Sequence, residues 1–500
     1  MTAAPERMAL AAGIPHQHQA LGWLRAWTPG FGLVVCICGY LVLMPSVNVL
    51  PDVVPYDTKR IGQVLLLLGF GLWLLFRHQA ATQWLDTFNA LPRLGRWGLG
   101  IVVALGVCSS MWAPLLHWAL LEVAHLVLLG CLAVTIAAFC RRDAAMMQRL
   151  FLGALLLSIF LYLVNFAVSY SISLGTTRGG LWPWGVDIGF AHPRFLNQFQ
   201  TWTLPLIVLP GLIWPIRNKA ARFGLHLLAM GWWMLLFGSG GRGTTLAMAT
   251  ACLLVGIVYR KQAWPWLRAQ GVAFLGGGLL YWLLFKMVVT SQSSLLDRSL
   301  TSGSLREVLW ERAWLMVQQH PLLDVGPMHY AYQVEDLAAH PHNVVLQWAA
   351  EWGLPATLLI TGLFLWGLLA LVRCFKTHAA ATSQQQVVQV ALTASLVAAI
   401  GHALLSGITI MPLSQLAMVL ITGWAWGLWL KSGTQAGYTP WRSSPWILRL
   451  IVAASLLGMV WGTSLYVLDL KHQQAIFKEA KQTTTFRPRF WQQGFIKFYD

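Results

Sequence analysis

Residues 151–170 read FLGALLLSIFLYLVNFAVSY, a run of twenty residues without a charged side chain. At the helical rise of about 1.5 Å per residue, such a run covers the roughly 30 Å hydrocarbon core of a bilayer. Similar apolar stretches recur along the chain, and thirteen of them are candidate spans, centred near residues 40, 68, 104, 127, 161, 207, 231, 250, 278, 358, 398, 420 and 457. The sequence therefore predicts an all-α integral membrane protein, a polytopic bundle of 12–13 transmembrane helices.

The composition also indicates a membrane protein. Of the 500 residues, 57% are hydrophobic and only 10% are charged, and the mean hydropathy is +0.61. A soluble chain of this composition would expose too much apolar surface to water. The first 29 residues show no small-residue cleavage site after an apolar core. We therefore expect no cleavable signal peptide, and the first helix should remain as an anchor.

Basic side chains predict the orientation of the bundle, because lysine and arginine remain on the cytoplasmic side. They follow every second predicted span, at Arg77, Arg93, Arg96, Arg141, Arg142, Arg217, Lys219, Arg222, Arg260, Lys261, Arg268, Arg373 and Lys376. The N-terminus is thus predicted in the cytoplasm of a bacterial inner membrane. The loops at 51–60, 174–198, 239–243 and 291–343 are predicted in the periplasm. With thirteen spans the C-terminus is also periplasmic, although its basic charge opposes this prediction.

The sequence predicts four parts of the chain, one of which is the longest polar interruption. Residues 1–290 form an N-terminal bundle of about nine helices, and residues 291–343 form a periplasmic catalytic loop with short helices. Residues 344–470 form the C-terminal transmembrane helices, and residues 471–500 form a basic amphipathic tail.

Within the long loop, apolar residues at helical spacing predict a short amphipathic helix from Ser304 to Gln319. Ser304 is its expected N-cap, and a proline after His320 ends it. The helix carries Arg306 and Arg312, either of which could reach a headgroup between the loop and the bundle. Several arginines on separate outward segments, with few acids nearby, predict an anion site for a phosphate-containing ligand.

The net charge of +17 does not indicate a nucleic-acid-binding protein. Most basic residues lie in predicted cytoplasmic connections, where topology and contact with membrane lipids account for them. The seven cysteines lie within or at the ends of apolar spans, a pattern that favours neither a disulfide framework nor a zinc site. We expect no cofactor and no nucleic acid partner.

The segment GSGGRGTTLA places Arg242 at the outer end of the seventh span, between glycines that let other groups approach its backbone. An arginine forms two parallel bonds to one phosphate, which suits a lipid diphosphate headgroup. The alternative is an interfacial arginine that extends toward ordinary headgroups.

A second outward segment, GFAHPRFLNQFQTWTLPL, carries Arg194, Asn197 and Gln200 just before the sixth span. Arg194 is a second candidate phosphate contact, while Asn197 and Gln200 could bond sugar hydroxyls from one helical face. These residues could equally cap and orient the start of the span.

The sequence HPHN, His340 to Asn343, lies immediately before the tenth span, at the depth expected for Arg242. The unperturbed pKa of a histidine side chain lies near neutral pH. His342 or His340 could therefore accept a proton from an acceptor hydroxyl as that hydroxyl attacks a sugar carbon. Asn343 is a candidate contact for the glycan or acceptor. The alternative is a histidine pair that merely caps the helix.

A metal site is not expected in the outward loops. Two histidines at positions i and i+2 without a third ligand make a poor metal site, and Glu335-Asp336 is the nearest acidic pair. We therefore predict metal-independent chemistry in which arginines neutralise the diphosphate.

Three intramembrane polar residues are further candidates by their position, namely Glu122, His125 and His402. They lack charged neighbours in the sequence, which favours structural hydrogen bonding between helices.

Three segments together carry a resemblance to a known family: GRGTTLA, LREVLWERAWLMVQQHPLLDVGPMHYAYQ and HPHNVVLQWAAEWGLPATLLI. In this order and on this topology, over about residues 190–430, the chain resembles the O-antigen ligase superfamily. That superfamily includes O-antigen ligases, O-antigen polymerases and bacterial protein O-oligosaccharyltransferases. The resemblance implies that Arg242 and Arg306 hold undecaprenyl diphosphate and that His342 serves catalysis. The segment at 324–328 departs from the usual G-x-G pattern.

The resemblance also implies a reaction, namely transfer of a preassembled glycan from undecaprenyl diphosphate to a periplasmic acceptor hydroxyl, with inversion at the anomeric carbon. Thirteen spans and an outward C-terminal tail favour a serine or threonine of a protein, such as a pilin, as the acceptor. A ligase acting on lipid A core, an O-antigen polymerase and a non-enzymatic transporter of the lipid-linked glycan are the alternatives.

Overall fold

The computed structural model describes residues 29–176, 189–287, 306–332, 338–377, 382–432, 444–467 and 488–496, together with 472, 475–476 and 479. Within these residues the chain is helical and contains no strand. The helices are α1 Pro29–Leu43, α2 Pro55–Phe76, α3 His78–Asn89, α4 Arg93–Ser110, α5 Leu116–Arg142, α6 Ala144–Thr176, α7 Pro193–Ile207, α8 Leu209–Ile213, α9 Lys219–Gly238, α10 Arg242–Tyr259, α11 Trp264–Tyr281, α12 Arg306–Gln319, α13 Val344–Thr377, α14 Ser383–Ala403, α15 Pro412–Lys431 and α16 Pro445–Val467.

The predicted fold class, an all-α polytopic membrane protein, is confirmed. Every one of the thirteen predicted span centres lies within a helix. Across the described ranges, nine helices are long and apolar enough to cross a membrane, or ten if the bent pair α3–α4 is one broken span. The predicted loop helix is also present as α12, while its expected cap Ser304 lies outside the described residues.

Four features account for the difference between thirteen predicted spans and nine long apolar helices. Helix α1 is short, α4 joins α3 at a 114° bend, and α7 has only 15 residues, ending at Ile207 just after Pro205. Helices α10 and α11 count as one candidate of 46 residues, Arg242–Met287. At about 1.5 Å per residue this candidate would measure roughly 69 Å, about twice a hydrocarbon core. It is interrupted at Arg260, whose φ is 51°.

Small residues allow the central helices to pack closely. A Cβ atom added to Gly423 of α15 would lie 2.7 Å from the carbonyl oxygen of Ala133 in α5. One turn later, a Cβ on Gly427 would lie 2.7 Å from the carbonyl oxygen of Ala137. The two glycines therefore let α15 rest directly on the backbone of α5, as small residues do between membrane helices.

One end of the bundle, here called the loop end, gathers the termini of many helices. Ser109 at the end of α4 donates to the carbonyl oxygen of Glu351 in α13 at 3.1 Å, and the backbone N–H of Leu115, just before α5, donates to Nε2 of His329 at 3.0 Å. The helices that begin at this end are α2, α5, α7, α10, α13 and α15. They correspond to every second predicted span, so the observed helices alternate in direction as the sequence predicts.

Residues 488–496, here called the C-terminal segment, return to the loop end after α16. The backbone N–H of Ile496 donates to the carbonyl oxygen of Ala331 in the long loop at 3.2 Å. The backbone N–H of Gln492 donates to the Asp57 carboxylate, at the start of α2, at 2.7 Å. The C-terminal segment and the long loop therefore lie at the same end of the bundle.

Helix α13 contains a sharp break that matters for the site. Gly353 has φ 81° and ψ 164°, a conformation that is essentially restricted to glycine. The break separates residues 344–352, here called the α13 arm, from the long remainder of the helix. The N–H of Leu354, just beyond the break, donates to the carbonyl oxygen of Pro321 at 2.9 Å, so the long loop packs against the break.

Candidate functional site

His340 is the buried member of the histidine turn, residues 340–343, which precedes the α13 arm at the loop end. Its Nδ1 accepts a hydrogen bond from the backbone N–H of His342 at 3.2 Å. Because Nδ1 accepts, the neutral ring carries its proton on Nε2. Burial lowers the pKa of His340 well below its usual value, and His342, Arg489 and Arg194 lower this pKa further. His340 is thus held neutral and shapes the turn.

His342 is the more accessible member of the pair. Its ring lies edge-on to that of His340, with 4.1 Å between the ring centroids. Its φ of 57° lies in the left-handed region, which residues other than glycine rarely adopt. Such conformations cost about 1–3 kcal/mol and persist where the surrounding structure imposes them. His342 is therefore the half-buried and strained member of the pair, whereas His340 is buried.

Three contacts impose the conformation of the histidine turn. The indole N–H of Trp310 in α12 donates to the carbonyl oxygen of Pro341 at 3.0 Å. The side-chain oxygen of Asn343 accepts from the N–H groups of Val345 and Leu346 at 3.0 and 3.1 Å, so it caps α13. Gly407, before α15, lies under the ring of His340 so closely that an added Cβ would be 2.9 Å from Nε2.

The capping bonds of Asn343 bear on its predicted role. Its carbonyl oxygen is occupied by the helix start, so the residue that caps α13 is Asn343. Contact with a glycan or acceptor through the remaining amide group stays a prediction.

Arg242 is the first residue of α10 and is partly exposed at the loop end. The chain reaches it through a tight turn in which Gly240 has φ 66°. A Cβ on Gly241 would lie 2.8 Å from the Asn197 side chain, and a Cβ on Gly243 would lie 2.9 Å from His402. These glycines therefore allow the close approach that the sequence predicts. The partial positive charge of a helix start adds to the guanidinium in attracting an anion.

Arg194 and Arg306 also lie at the loop end. Arg194 is exposed at the start of α7 and close enough to His340 to act on its charge. Arg306 begins α12, and partial burial lowers the pKa of its guanidinium. Arg306 also lies within electrostatic reach of His402, the residue packed against Gly243 next to Arg242. Two of the predicted arginines therefore lie near the histidine turn or the Arg242 turn.

Arg312 is placed differently from the other predicted arginines. Its side chain is buried beneath α12, and its guanidinium carbon lies 4.9 Å from the ring centroid of Tyr330. The hydroxyl of Tyr330 in turn donates to the carbonyl oxygen of Leu309 at 3.0 Å. This geometry indicates that Arg312 fastens the loop helix, and it does not bring the guanidinium to the loop surface.

The side chains of Asn197 and Gln200 form hydrogen bonds inside the bundle. The amide of Asn197 donates to Ser239 Oγ at 2.7 Å and to the oxygen of Gln200 at 3.0 Å. The amide of Gln200 donates to the backbone oxygen of Trp232 at 2.8 Å, and its side chain is fully buried. These contacts match the alternative in which both residues orient the sixth span.

His402 likewise makes hydrogen bonds between helices, as the sequence predicts. Its Nδ1 lies 2.6 Å from Oγ1 of Thr201 in α7 and 3.4 Å from Oγ1 of Thr244 in α10. Thr244 also donates to the carbonyl oxygen of Asn197 at 2.9 Å. The network ties α7, α10 and α14 together directly below Arg242.

Glu122 has a charged partner that is far away in the sequence, Arg489. Nη2 of Arg489, in the C-terminal segment, lies 2.8 Å from both carboxylate oxygens of Glu122 and 2.6 Å from Oε2 of Glu351. Arg489 and Glu351 are almost completely buried. The Glu351 carboxylate also accepts from the side chain of Gln347 and from the backbone N–H of Tyr330, both at 3.2 Å. A buried triad of Glu122, Glu351 and Arg489 therefore joins α5, the α13 arm and the C-terminal segment.

Arg60 lies in a second set of buried polar contacts that the sequence did not predict. Its Nε donates to the carbonyl oxygen of Phe490 at 2.9 Å, and its Nη1 donates to Gln415 of α15 at 2.6 Å. The guanidinium also lies 4.6 Å from the ring centroid of Phe490. His125 packs edge-on against the same ring, with 5.4 Å between centroids.

A cavity of about 40 Å³ lies between Arg60, His125 and the triad, which is room for about one water molecule. Arg489 and Phe490 of the C-terminal segment line it, together with residues of α2, α5, the α13 arm and α15.

Little in the sequence distinguishes these inner residues from ordinary ones. Arg489 is one of several basic residues in the tail, whereas Arg60 lies on the predicted periplasmic side, where the positive-inside rule does not expect an arginine. Glu351 gave the clearest signal, because it is an acid within an apolar helix. Among the described residues, no group of three or more histidine, cysteine or acidic side chains could hold a metal ion. Glu335 and Asp336 lie outside the described residues.

Residues 226–361 match the model of a protein family described as O-antigen ligase. The matched range runs from α9 through the Arg242 turn, α12 and the histidine turn to just beyond the break at Gly353. It lies within the region that carries the resemblance in the sequence. No curated protein matches the chain.

Proposed function

The chain belongs to the O-antigen ligase superfamily, and on this premise we propose that it transfers a preassembled glycan from undecaprenyl diphosphate to an acceptor hydroxyl. The observation that carries the proposal is the accessible, strained His342 at the same end of the bundle as Arg242, Arg194 and Arg306. A general base and several anion-binding groups beside one bilayer face suit a lipid diphosphate donor.

In the proposed reaction, the acceptor hydroxyl oxygen attacks the anomeric carbon as the bond from that carbon to the diphosphate oxygen breaks. The hydroxyl proton passes to a ring nitrogen of His342, and the electron pair of the broken bond leaves with the diphosphate. Attack from the side opposite the leaving group inverts the configuration. Arg242, Arg306 and Arg194 stabilise the charge that develops on the leaving diphosphate, so no metal ion is required.

His340 supports His342 in this scheme. Its Nδ1 fixes the backbone of His342, and its neutral state avoids a second positive charge beside the base. Trp310, which holds the carbonyl of Pro341 between the two histidines, keeps the turn in place.

The site is proposed to face the periplasm from the inner membrane. The loop end receives the predicted outward loops, while the arginine-rich connections fall at the opposite end. For the acceptor we propose a serine or threonine of a protein such as a pilin, supported by the position of the C-terminal segment at the loop end after the thirteenth span. Lipid A core, a growing O-antigen polymer and simple transport of the lipid-linked glycan remain the alternatives.

The experiment that tests the proposal is transfer by purified protein in vesicles that contain lipid-linked glycan and acceptor. His342→Ala should reduce transfer by about 10²–10⁴-fold, the usual contribution of a general base, with unchanged folding. His320→Ala is the matched control, because His320 is exposed in the same loop beyond α12. Near wild-type transfer by His342→Ala would refute the assignment.

The same vesicles separate the acceptors and the transporter. An enzyme releases undecaprenyl diphosphate only when its acceptor is present, so a pilin-type protein and lipid A core are supplied in turn. Movement of the donor without any release would indicate a transporter. A reporter fused after the C-terminus should be active in the periplasm, and a cytoplasmic reporter would contradict the thirteen-span topology.

A further inference from the structure

The α13 arm needs an anchor of its own. It carries the histidine turn at its start, and the non-helical Gly353 follows at its end. The long membrane-spanning part of α13 therefore does not fix the direction of the arm through continuous helical hydrogen bonds. Its orientation depends on what its side chains contact.

Arg489 makes one such contact near the far end of the arm. Glu351 lies in the last turn before the break, and its carboxylate meets Nη2 of Arg489 at 2.6 Å. The same nitrogen meets both oxygens of Glu122, which belongs to α5. The guanidinium thus connects the arm to a neighbouring helix.

The C-terminal segment itself is firmly held. The hydroxyl of Tyr56 donates to the carbonyl oxygen of Arg489 at 2.8 Å, and Arg60 donates to that of Phe490 at 2.9 Å. Trp491 stacks on Tyr466 of α16 with 5.1 Å between the ring centroids. A segment bound through its backbone and its aromatic rings can deliver Arg489 to one defined place.

We propose that Arg489 is a positioning residue for the transfer reaction: by bridging Glu351 to Glu122, it fixes the α13 arm and thereby the histidine turn. The C-terminal segment is then a working part of the site, although it lies 138 residues from Glu351 in the sequence. This inference rests on the proposed transfer reaction for its effect on rate. Its structural half, the fixing of the arm, can be measured without any substrate.

A loosened arm should lower the turnover number more than the donor affinity. The histidine turn would still exist, but His342 would spend less time in line with the acceptor hydroxyl, and a misplacement of about 1 Å can cost about 10²-fold in rate. The arginines that are proposed to hold the diphosphate lie at the starts of other helices, α7, α10 and α12. The donor KM should therefore change much less than kcat.

The test compares a charge-preserving variant with a charge-free one. All three short contacts of Arg489 with the glutamates come from one nitrogen, so a lysine ammonium with three donors can replace much of the bridge. The charge-free variant combines Arg489→Met, Glu122→Gln and Glu351→Gln. It removes the three charges of the triad together, so the two glutamates are not left without their arginine as they would be in Arg489→Met alone. Arg217→Met, an exposed arginine between α8 and α9, is the matched control.

We expect Arg489→Lys to retain transfer within about threefold of the wild type. We expect the charge-free variant to fold with a normal melting temperature but to lose about 10–100-fold in kcat, with its donor KM within about threefold. Hydrogen exchange measured by mass spectrometry should rise in residues 338–352 of the charge-free variant and stay unchanged in α5. Arg217→Met should match the wild type in every measurement.

Two outcomes would overturn the inference. Wild-type kcat in a well-folded charge-free variant would reduce the triad to a structural ion pair. Unchanged exchange in residues 338–352 would show that the arm is held by other contacts. If the wild-type protein shows no glycan transfer at all, the proposed function fails, while the exchange measurement still decides whether Arg489 fixes the arm.

Discussion

Replacement of Gly353 by alanine is the sharpest test of the broken helix that presents the histidine turn. At φ 81° and ψ 164°, the residue adopts a conformation that costs a side-chain-bearing residue about 1–3 kcal/mol. The new Cβ would also overlap the carbonyl oxygen of Leu322 and would lie 2.5 Å from its carbonyl carbon and 3.0 Å from the nitrogen of Leu323.

Those neighbours are backbone atoms, so a change of rotamer cannot relieve the overlap. Either the loop segment that includes Leu322 moves away or the helix straightens, and strain of this kind in a packed interior costs about 1–3 kcal/mol more. The sum of about 2–6 kcal/mol is a large share of ordinary protein stability. Because the α13 arm would also change direction, transfer should be lost even in the protein that still folds.

The assay measures the melting temperature in detergent and the transfer rate in vesicles. Gly362→Ala is the matched control, because Gly362 lies in the same helix with no atom within 4 Å of an added Cβ. We expect the control to behave as the wild type and Gly353→Ala to lose both stability and transfer. Equal melting temperatures and rates for the two variants would refute the reasoning.

If Arg242 binds a diphosphate through two parallel hydrogen bonds, Arg242→Lys should raise the donor KM at least about tenfold. An unchanged KM for both Arg242→Lys and Arg242→Ala would exclude that contact. Transfer should survive excess EDTA and fall with added inorganic diphosphate, whereas loss on chelation that magnesium or manganese restores would reveal a metal site. Burial raises the pKa of Asp324 to about 7. The folded protein therefore holds a proton on this carboxyl more tightly than the unfolded chain does, and the resulting stability is lost as the pH rises through about 7. Asp324→Asn should therefore stabilise the protein increasingly as the pH rises from about 4 to about 7. A melting-temperature gain that is equal at pH 5 and pH 8 would contradict this assignment.

The helices and the histidine turn could be predicted because their signals are local. An apolar run such as residues 151–170 must form hydrogen bonds within itself in a bilayer, which leaves only a helix. A proline and a histidine pair directly before the tenth span mark a helix start, and Asn343 indeed caps it. The glycines around Arg242 likewise indicate close packing, because a missing side chain leaves room for a neighbour.

The roles of the amides and of the inner charges could not be predicted because they depend on distant partners. Asn197 and Gln200 share one helical face in either interpretation, and only the position of Ser239 shows that this face points into the bundle. Arg312 and Arg306 are one residue type on one short helix, yet one is buried against Tyr330 and the other begins the helix at the surface. Spacing along a helix assigns residues to a face but does not say what that face meets.

The buried triad is hard to explain as a device for stability alone. Removing two carboxylates and a guanidinium from water costs several kcal/mol per ion, and apolar replacements of similar volume are often neutral or stabilising. What an ion bridge provides is direction, because Arg489 can satisfy Glu122 and Glu351 together in few arrangements. That property is useful at one place in this fold, where the break at Gly353 uncouples the α13 arm from its own helix. The location of the triad in the last turn before the break therefore favours a role in orienting the histidine turn.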